Sequence, residues 1–494
     1  MQNLLYGFSV IASPSCMLWI VVGTLLGLFI GALPGVGPAA GCALLLSATY
    51  KMDSIPAICL MISLYMAAMY GGSISSVVLS VPGSGAAVAT IQDGAPMARA
   101  GYPGKALGYS LTASTIGGII GCIVLSMLTA PLAILCLKLS DPEVFLIVTF
   151  GLLSVSAVSS TTVPKTMLSI LMGLLMATVG LDTFTGAARY CKGVPALYDG
   201  FETVSILIGM FAISEVLKMA TAKKQERVMP LREGLSTKLS WKEIRHIFPT
   251  SVWSALVGVI VGIVPALGGG TAAWLTYTTA KRRSKHPETF GKGEPIGIAA
   301  PEAANNAVVG GALIPFITLG IPGSEVIAVV SSALIMHGIQ PGPSVINNHP
   351  DLVYGMFACL FLATILMYVF GRYTTALWAR LLTLPDYVLC VFVLFFGIVG
   401  SYASRGQIFD VWVTLIFGLV WFFIDKVGFS KAAFILSYIL AYLFESKFRR
   451  SLTISQGSFA IFVNRPFCVI MLALIVITFV GGAINKRRKK KQAI

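Results

Sequence analysis

The sequence predicts an all-α polytopic membrane protein of roughly ten to twelve transmembrane segments, built as two inverted repeats with broken helices and re-entrant hairpins. Three observations carry this. Of the 494 residues, 56% are hydrophobic and only 11% charged, whereas soluble domains carry roughly 25% charged residues. The apolar stretches run on without alternation, which suits helices of about 20 residues crossing roughly 30 Å of hydrocarbon and excludes the two-residue period of a barrel. Finally, two glycine-proline interruptions recur in the same order in each half of the chain.

In chain order, apolar stretches fall near 12–33, 55–70, 107–137, 143–160, 166–181, 203–217, 353–378, 386–403, 407–424, 431–445 and 467–484. The duplicated breaks lie between and within them. GALPGVG at 31–37 corresponds to GIVPALG at 262–268, and GGSISSVVLSVPGS at 71–84 to GGALIPFITLGIPGS at 310–324. The offset is 231 residues between Pro34 and Pro265 and 240 between Pro82 and Pro322. Proline lacks an amide hydrogen and glycine adopts backbone angles closed to other residues, so such strings break helices. Interrupted segments at corresponding positions of two halves point to a transporter binding site.

Charge sets the organisation. Residues 1–217 form the first repeat, 218–247 a basic cytoplasmic connector, 248–485 the second repeat with the C-terminal helices, and 486–494 a basic cytoplasmic tail. Nothing charged precedes Lys51, whereas the second repeat follows the most basic loop, so the positive-inside bias starts the two repeats on opposite sides. The stretch Lys281, Arg282, Arg283, Ser284, Lys285 is basic too. Either 250–280 is re-entrant or one basic loop faces outside. The formal charge of +15 sits in loops and in the tail Lys486, Arg487, Arg488, Lys489, Lys490, Lys491. It implies contact with anionic lipid, not nucleic acid. The uncharged N-terminus lacks the basic region of a cleavable signal, so the first apolar stretch is retained. Nine cysteines stand singly, without CxxC spacing, and read as small hydrophobes. No phosphate loop and no HExxH or GxSxG string is present. The chain therefore reads as no enzyme, and its work must draw on an ion gradient.

The breaks supply the chemistry. A half-helix starting inside the membrane offers unpaired amides and a partial positive charge to an anion, and a carboxylate suits it. Substrate-binding candidates are Gly35 and Gly37 at the first break, Gly83 and Ser84 at one hairpin tip, and Gly323 and Ser324 at the other. Each serine serves as an N-cap or donates to the carboxylate. In APEAANNAVVGG at 300–311, Asn305 and Asn306 lie beside Glu302 in apolar surroundings, where unsatisfied amides are costly. They bond neighbouring helices, or they hold substrate or sodium. Ion-coupling candidates are Pro34, Pro265 and Gly268, through freed carbonyls, with Asn305 and Glu325. Asp93 and Asp182 read equally as turns or ion sites, and four scattered histidines show no metal spacing. No cofactor is implied beyond sodium ions. A carboxylate or anion channel, or a carrier for a less acidic solute, is the alternative function.

GALPGVGPAAGCALLL at 31–46, AAMYGGSISSVVLSVPGSGAAVATIQDGAPMARAG at 67–101 and the run from Ala280 to Ser324 resemble the large membrane subunit of tripartite tricarboxylate transporters, as do GLDTFTGAARY at 180–190 and LFESKFRRSLTISQGS at 443–458. The resemblance covers nearly the whole chain. It implies a multi-pass secondary carrier of the bacterial inner membrane, working with a small membrane subunit and a periplasmic solute-binding protein. It also implies import of a di- or tricarboxylate such as citrate, driven by sodium or protons, with homo-oligomer formation left open. Three positions depart from the family pattern: PALG at the second break, Ser47 where proline is common, and Glu325 where a small residue is usual. Glu325 would repel a bound carboxylate unless protonated or ion-paired, which implies proton coupling or a less acidic solute.

Overall fold

A computed structural model describes residues 2–33, 36–80, 83–158, 162–221, 236–265, 267–381 and 386–477. Pro34, Gly35 and Pro82, residues 222–235 of the connector and the basic tail lie outside the described residues. The chain is helical nearly throughout. Among the described residues, strand structure is confined to a two-residue antiparallel ladder, Gly180–Leu181 with Ala188–Arg189.

The first half comprises α1 (Gln2–Ile11), α2 (Pro14–Ala32), α3 (Pro38–Leu46), α4 (Ser54–Leu79), α5 (Ala87–Arg99) and α6 (Pro103–Cys136). Next come α7 (Asp141–Val158), α8 (Val163–Met176) and α9 (Thr203–Leu207), the last joined through a π turn at Ile208–Ile213 to α10 (Ser214–Thr221). The opening order then recurs as α11 (Trp241–Ile263), α12 (Gly268–Arg283), α13 (Pro295–Leu319), α14 (Glu325–Met336), the short α15 (Val345–Asn348) and α16 (Pro350–Leu381). Helices α17 (Asp386–Arg405), α18 (Ile408–Val427) and α19 (Lys431–Ile454) follow. Every apolar stretch expected from the sequence overlaps a helix within the described residues. Seven described helices are long and apolar enough to cross a membrane, fewer than the ten to twelve segments expected. Breaks and turns leave others, such as α8 and α14, at half length.

The halves match in detail. At the first break Leu33 and Val36 donate amides to Ile30 and Leu33 (3.1 and 3.2 Å); at the second, Val264 and Leu267 donate to Val261 and Val264 (3.2 and 3.4 Å). The same register, 231 residues on, closes each helix end with tight turns. Packing is reciprocal: α2 lies on α4 and α11 on α13, while α6 crosses to α13 and α16 to α4. Helices α4 and α13 are thereby buried on all sides from Pro56 to Val77 and from Gly297 to Thr318. That fits their lack of a polar face. Gly31 and Gly262 allow a close approach: a Cβ on either would meet the Ala68 carbonyl oxygen at 2.3 Å or the Val308 carbonyl oxygen at 2.7 Å. Small residues at such crossings are how membrane helices gain packing without a hydrophobic driving force.

The second break turns the chain back on itself ahead of the basic stretch 281–285. The Arg283 guanidinium lies 4.9 Å from the Trp253 ring centroid, so α12 runs back along α11. The basic end of α12 thus packs beside the middle of α11.

The 177–202 connection is pinned by charge outside the apolar helices. Arg189 and Arg449 share Asp182 and Glu445 as partners. The Phe184 amide, then the Thr185 hydroxyl and both arginines, holds the Asp182 carboxyl well below the usual carboxylate range. A depressed folded pKa gives stability that is complete above the unfolded value of about 4 and is lost as pH falls towards the folded one. Asp182→Asn should therefore melt earlier than the unmodified chain at pH 7, with the gap narrowing below about pH 4. A gap that stays constant in thermal melts from pH 7 to pH 3 would show that the carboxylate charge is not what is lost.

Candidate functional site

Both breaks and both hairpin tips open onto one cavity of about 740 Å³, bounded by Pro38, Tyr65, Ser84 to Ala86, Leu267 to Thr271 and Ser324 to Val326. A neighbouring lobe of about 520 Å³ shares Ser84, Gly85, Glu325, Ser430 and Ala432 with it and adds Gly37, Gly83, Lys218 and Lys431. Five helices thus begin at this space: α3, α5, α12, α14 and α19. The first amides of a helix have no partner within it, and together with the helix dipole they favour an anion there. Helices α3 and α12 begin at Gly37 and Leu267 without a side-chain cap, so their amides remain available. Helix α14 is capped: Ser324 Oγ accepts the Ile327 amide at 3.2 Å and lies 3.2 Å from the Tyr65 hydroxyl. Ser84 differs. Helix α5 starts three residues later and its N-cap position is Ala86, although Ser84 Oγ accepts a long hydrogen bond from the Ala87 amide at 3.4 Å.

Of the residues singled out from sequence, Gly37, Gly83, Ser84, Ser324, Gly268 and Glu325 meet at the two lobes. Others stand behind the wall. Gly323 is seated against Gly262 and Ala312, and Pro265 packs beside Gly151 with its carbonyl 3.5 Å from the Ser154 hydroxyl. Asn305 and Asn306 donate their amides to the carbonyls of Met69 (3.1 Å) and Met66 (3.2 Å) on α4. These bonds fix the orientation of each amide group and stitch α13 to α4. They leave Asn305 Oδ1 and Asn306 Oδ1 buried without a hydrogen-bond partner among the described residues. Asn305 Oδ1 abuts Gly269 in the cavity wall, where a Cβ would come within 2.3 Å of it.

Several acids resolve as braces. Asp93 Oδ1 accepts the amides of Gly291, Gly293 and Glu294 while Oδ2 accepts the Tyr277 hydroxyl, tying α5 to the start of α13. Asp410 pairs with Arg405 at 2.7 Å. Glu302, 1% exposed, receives the hydroxyls of Ser73 (2.5 Å), Thr90, Ser110 (3.0 Å) and Ser114 (2.9 Å).

Sequence reasoning missed the charged wall of the smaller lobe. Lys431 Nζ reaches Ser214 Oγ at 2.7 Å and Glu215 Oε1 at 3.3 Å; Lys218 pairs with the same Glu215 oxygen at 2.7 Å and with Asp425. A lysine inside the otherwise uncharged run GFSKAAFIL was the available signal, and Tyr65 carried none within a helix that has no charged residue.

Residues 17–436 match the model described as the tripartite tricarboxylate transporter TctA family. The chain is 33% identical over 492 residues to an uncharacterised 52.8 kDa protein in the TAR-I ttuC' 3' region of Agrobacterium vitis, covering 99% of this chain and 98% of that one. It is 32% identical over 237 residues to an uncharacterised protein in the TAR-II ttuC' 3' region of the same organism, covering 48% of this chain and 98% of that protein. No solved structure matches.

Proposed function

Because the chain belongs to the tripartite tricarboxylate transporter TctA family, we propose that it is the large membrane subunit of a secondary carrier that imports a small organic acid across the bacterial inner membrane. A small membrane subunit and a periplasmic solute-binding protein complete the system, and the solute is a di- or tricarboxylate. The observation that carries this reading is the convergence of helix N-termini at one cavity, since unpaired amides and aligned dipoles are what a carboxylate needs where water is scarce. The two halves run in opposite directions through the membrane, and the tips at Ser84 and Ser324 close over the solute from either side.

A sodium or proton gradient drives uptake. The orphaned Asn305 oxygen beside Gly269 favours a sodium ion, and Glu325 on the shared wall favours a proton. Uptake of labelled carboxylates into proteoliposomes holding the three components decides between these. Saturable uptake that follows one imposed gradient and fails without the binding protein is the expected result. Flux that rises linearly with solute and ignores both gradients would indicate the channel instead.

A further inference from the structure

We infer that Lys431 sets the number of charges on the solute: it receives the second carboxylate of a dicarboxylate whose first lies among the helix N-termini, and Glu325 beside it rejects a third. This rests on the carboxylate reading above and narrows it. Lys431 belongs to α19, outside both sets of duplicated helices, and its side chain is 11% exposed in the wall of the smaller lobe. An ammonium carries three N–H donors. One goes to Ser214 Oγ and a second, long one to Glu215 Oε1, an oxygen already held by Lys218 at 2.7 Å. The third has no hydrogen-bond partner among the described residues, the Phe211 ring centroid lying 6.0 Å from Nζ.

Charge bookkeeping gives the rest of the specificity. Lys218 and Lys431 balance Glu215 and Asp425, so that group is neutral. Glu325 lines both lobes and has neither a hydrogen bond nor an ion pair among the described residues. The groups facing it are Lys431 of α19, Glu215 of α10 and Asp425 of α18. One spare cationic donor admits a second carboxylate at Lys431, and Glu325, whenever it is ionised, repels a third, because like charges in contact oppose binding strongly. The shared wall of Ser84, Gly85 and Ser430 joins the lobes, so a single solute spans from the helix N-termini to Lys431.

Equilibrium binding and ligand-dependent melting of the purified full chain test this, so that the selectivity of a delivery protein does not enter. The probes are a four-carbon dicarboxylate, the monocarboxylate of equal length and a six-carbon tricarboxylate. The unmodified chain should bind the dicarboxylate best. Lys431→Met should weaken the dicarboxylate roughly ten- to a hundredfold, the loss of one charge-assisted hydrogen bond, and leave the monocarboxylate unchanged. Lys431→Arg should restore most of the preference, and Glu325→Gln should improve the tricarboxylate about tenfold or more. A parallel loss of all three probes in Lys431→Met and Lys431→Gln would show that the lysine merely holds α10 to α19, overturning the inference while the carrier reading stands. So would a preference of the unmodified chain for the tricarboxylate. Failure of the unmodified chain to bind any of the three would overturn both.

Discussion

Glu302→Leu should yield a chain that barely folds, with a loss of about 4 kcal/mol or more, because four buried hydroxyls lose their shared acceptor at about 1 kcal/mol or more each. A carboxylate offers about four lone-pair sites, and here four hydroxyls fill them: Ser73 from α4, Thr90 from α5, and Ser110 and Ser114 from α6. Four helices are therefore tied through one side chain that is 1% exposed. Leucine would leave all four hydroxyls facing hydrocarbon. Against a total stability of about 5–15 kcal/mol that loss is large. Glu302→Gln keeps the shape but turns acceptors into donors towards hydroxyls that must then rotate, and should cost about 1–3 kcal/mol. Ser110→Ala, with three donors remaining, should cost about 0.5–1.5 kcal/mol. Melting of the purified variants in detergent gives the order directly. If glutamine and leucine both melt with the unmodified chain, the cage is not what holds these helices.

The cage also separates the two hairpins, which look alike in sequence. Helix α5 is held through Thr90 to Glu302 and through Asp93 to the backbone at 291–294. For α14 the hydrogen bond that ties the tip to α4 runs from Tyr65 to Ser324. The position that answers Glu302 at the 240-residue offset is Ile62, which can form no such cage. The two halves share an outline, and Glu302, without a counterpart at Ile62, braces α4, α5 and α6 alone.

What the sequence disclosed and what it hid follow from the range of each interaction. Helix breaks are local: proline and glycine end a helix wherever the chain goes next, so the interruptions at 33–37 and 264–267 were legible, as was the capping of α14 by Ser324. The assignment of Ser84 as an N-cap failed because helix α5 begins only at Ala87, a boundary fixed by how the tip packs. Asn305 and Asn306 announced themselves as costly, but their partners, Met69 and Met66, lie about 240 residues away, and no local pattern names them. Lys431 was hidden for the same reason. A lysine at a helix start ordinarily points to water, and only the fold brings it to Glu215 and Glu325.

Gly323→Val should leave the chain folded yet cut uptake roughly a hundredfold, since displacing a binding group by about 1 Å can cost that much. A Cβ at Gly323 would stand 2.6 Å from Ala312 Cα and 2.8 Å from the Gly262 carbonyl oxygen. At Gly83 it would stand 2.5 Å from the Gly31 carbonyl oxygen and 2.7 Å from Gly72 Cα. These obstacles are backbone, so no rotamer change relieves them, and the tip itself has to lift. Lifting carries Ser324 and Glu325, or Ser84, away from the cavity they bound. The strain of such overpacking is about 1–3 kcal/mol, which the fold can absorb although a site built from converging amides cannot. Gly83→Val should behave alike because the two tips are seated the same way. Gly85→Ala provides the contrast: it lies in the same tip with nothing within 4 Å of its Cβ position, and uptake should stay within a few-fold. Retention of full uptake by Gly323→Val and Gly83→Val in well-folded protein would mean that the tips do not position the solute, and the amides at the two breaks would then have to bind it alone.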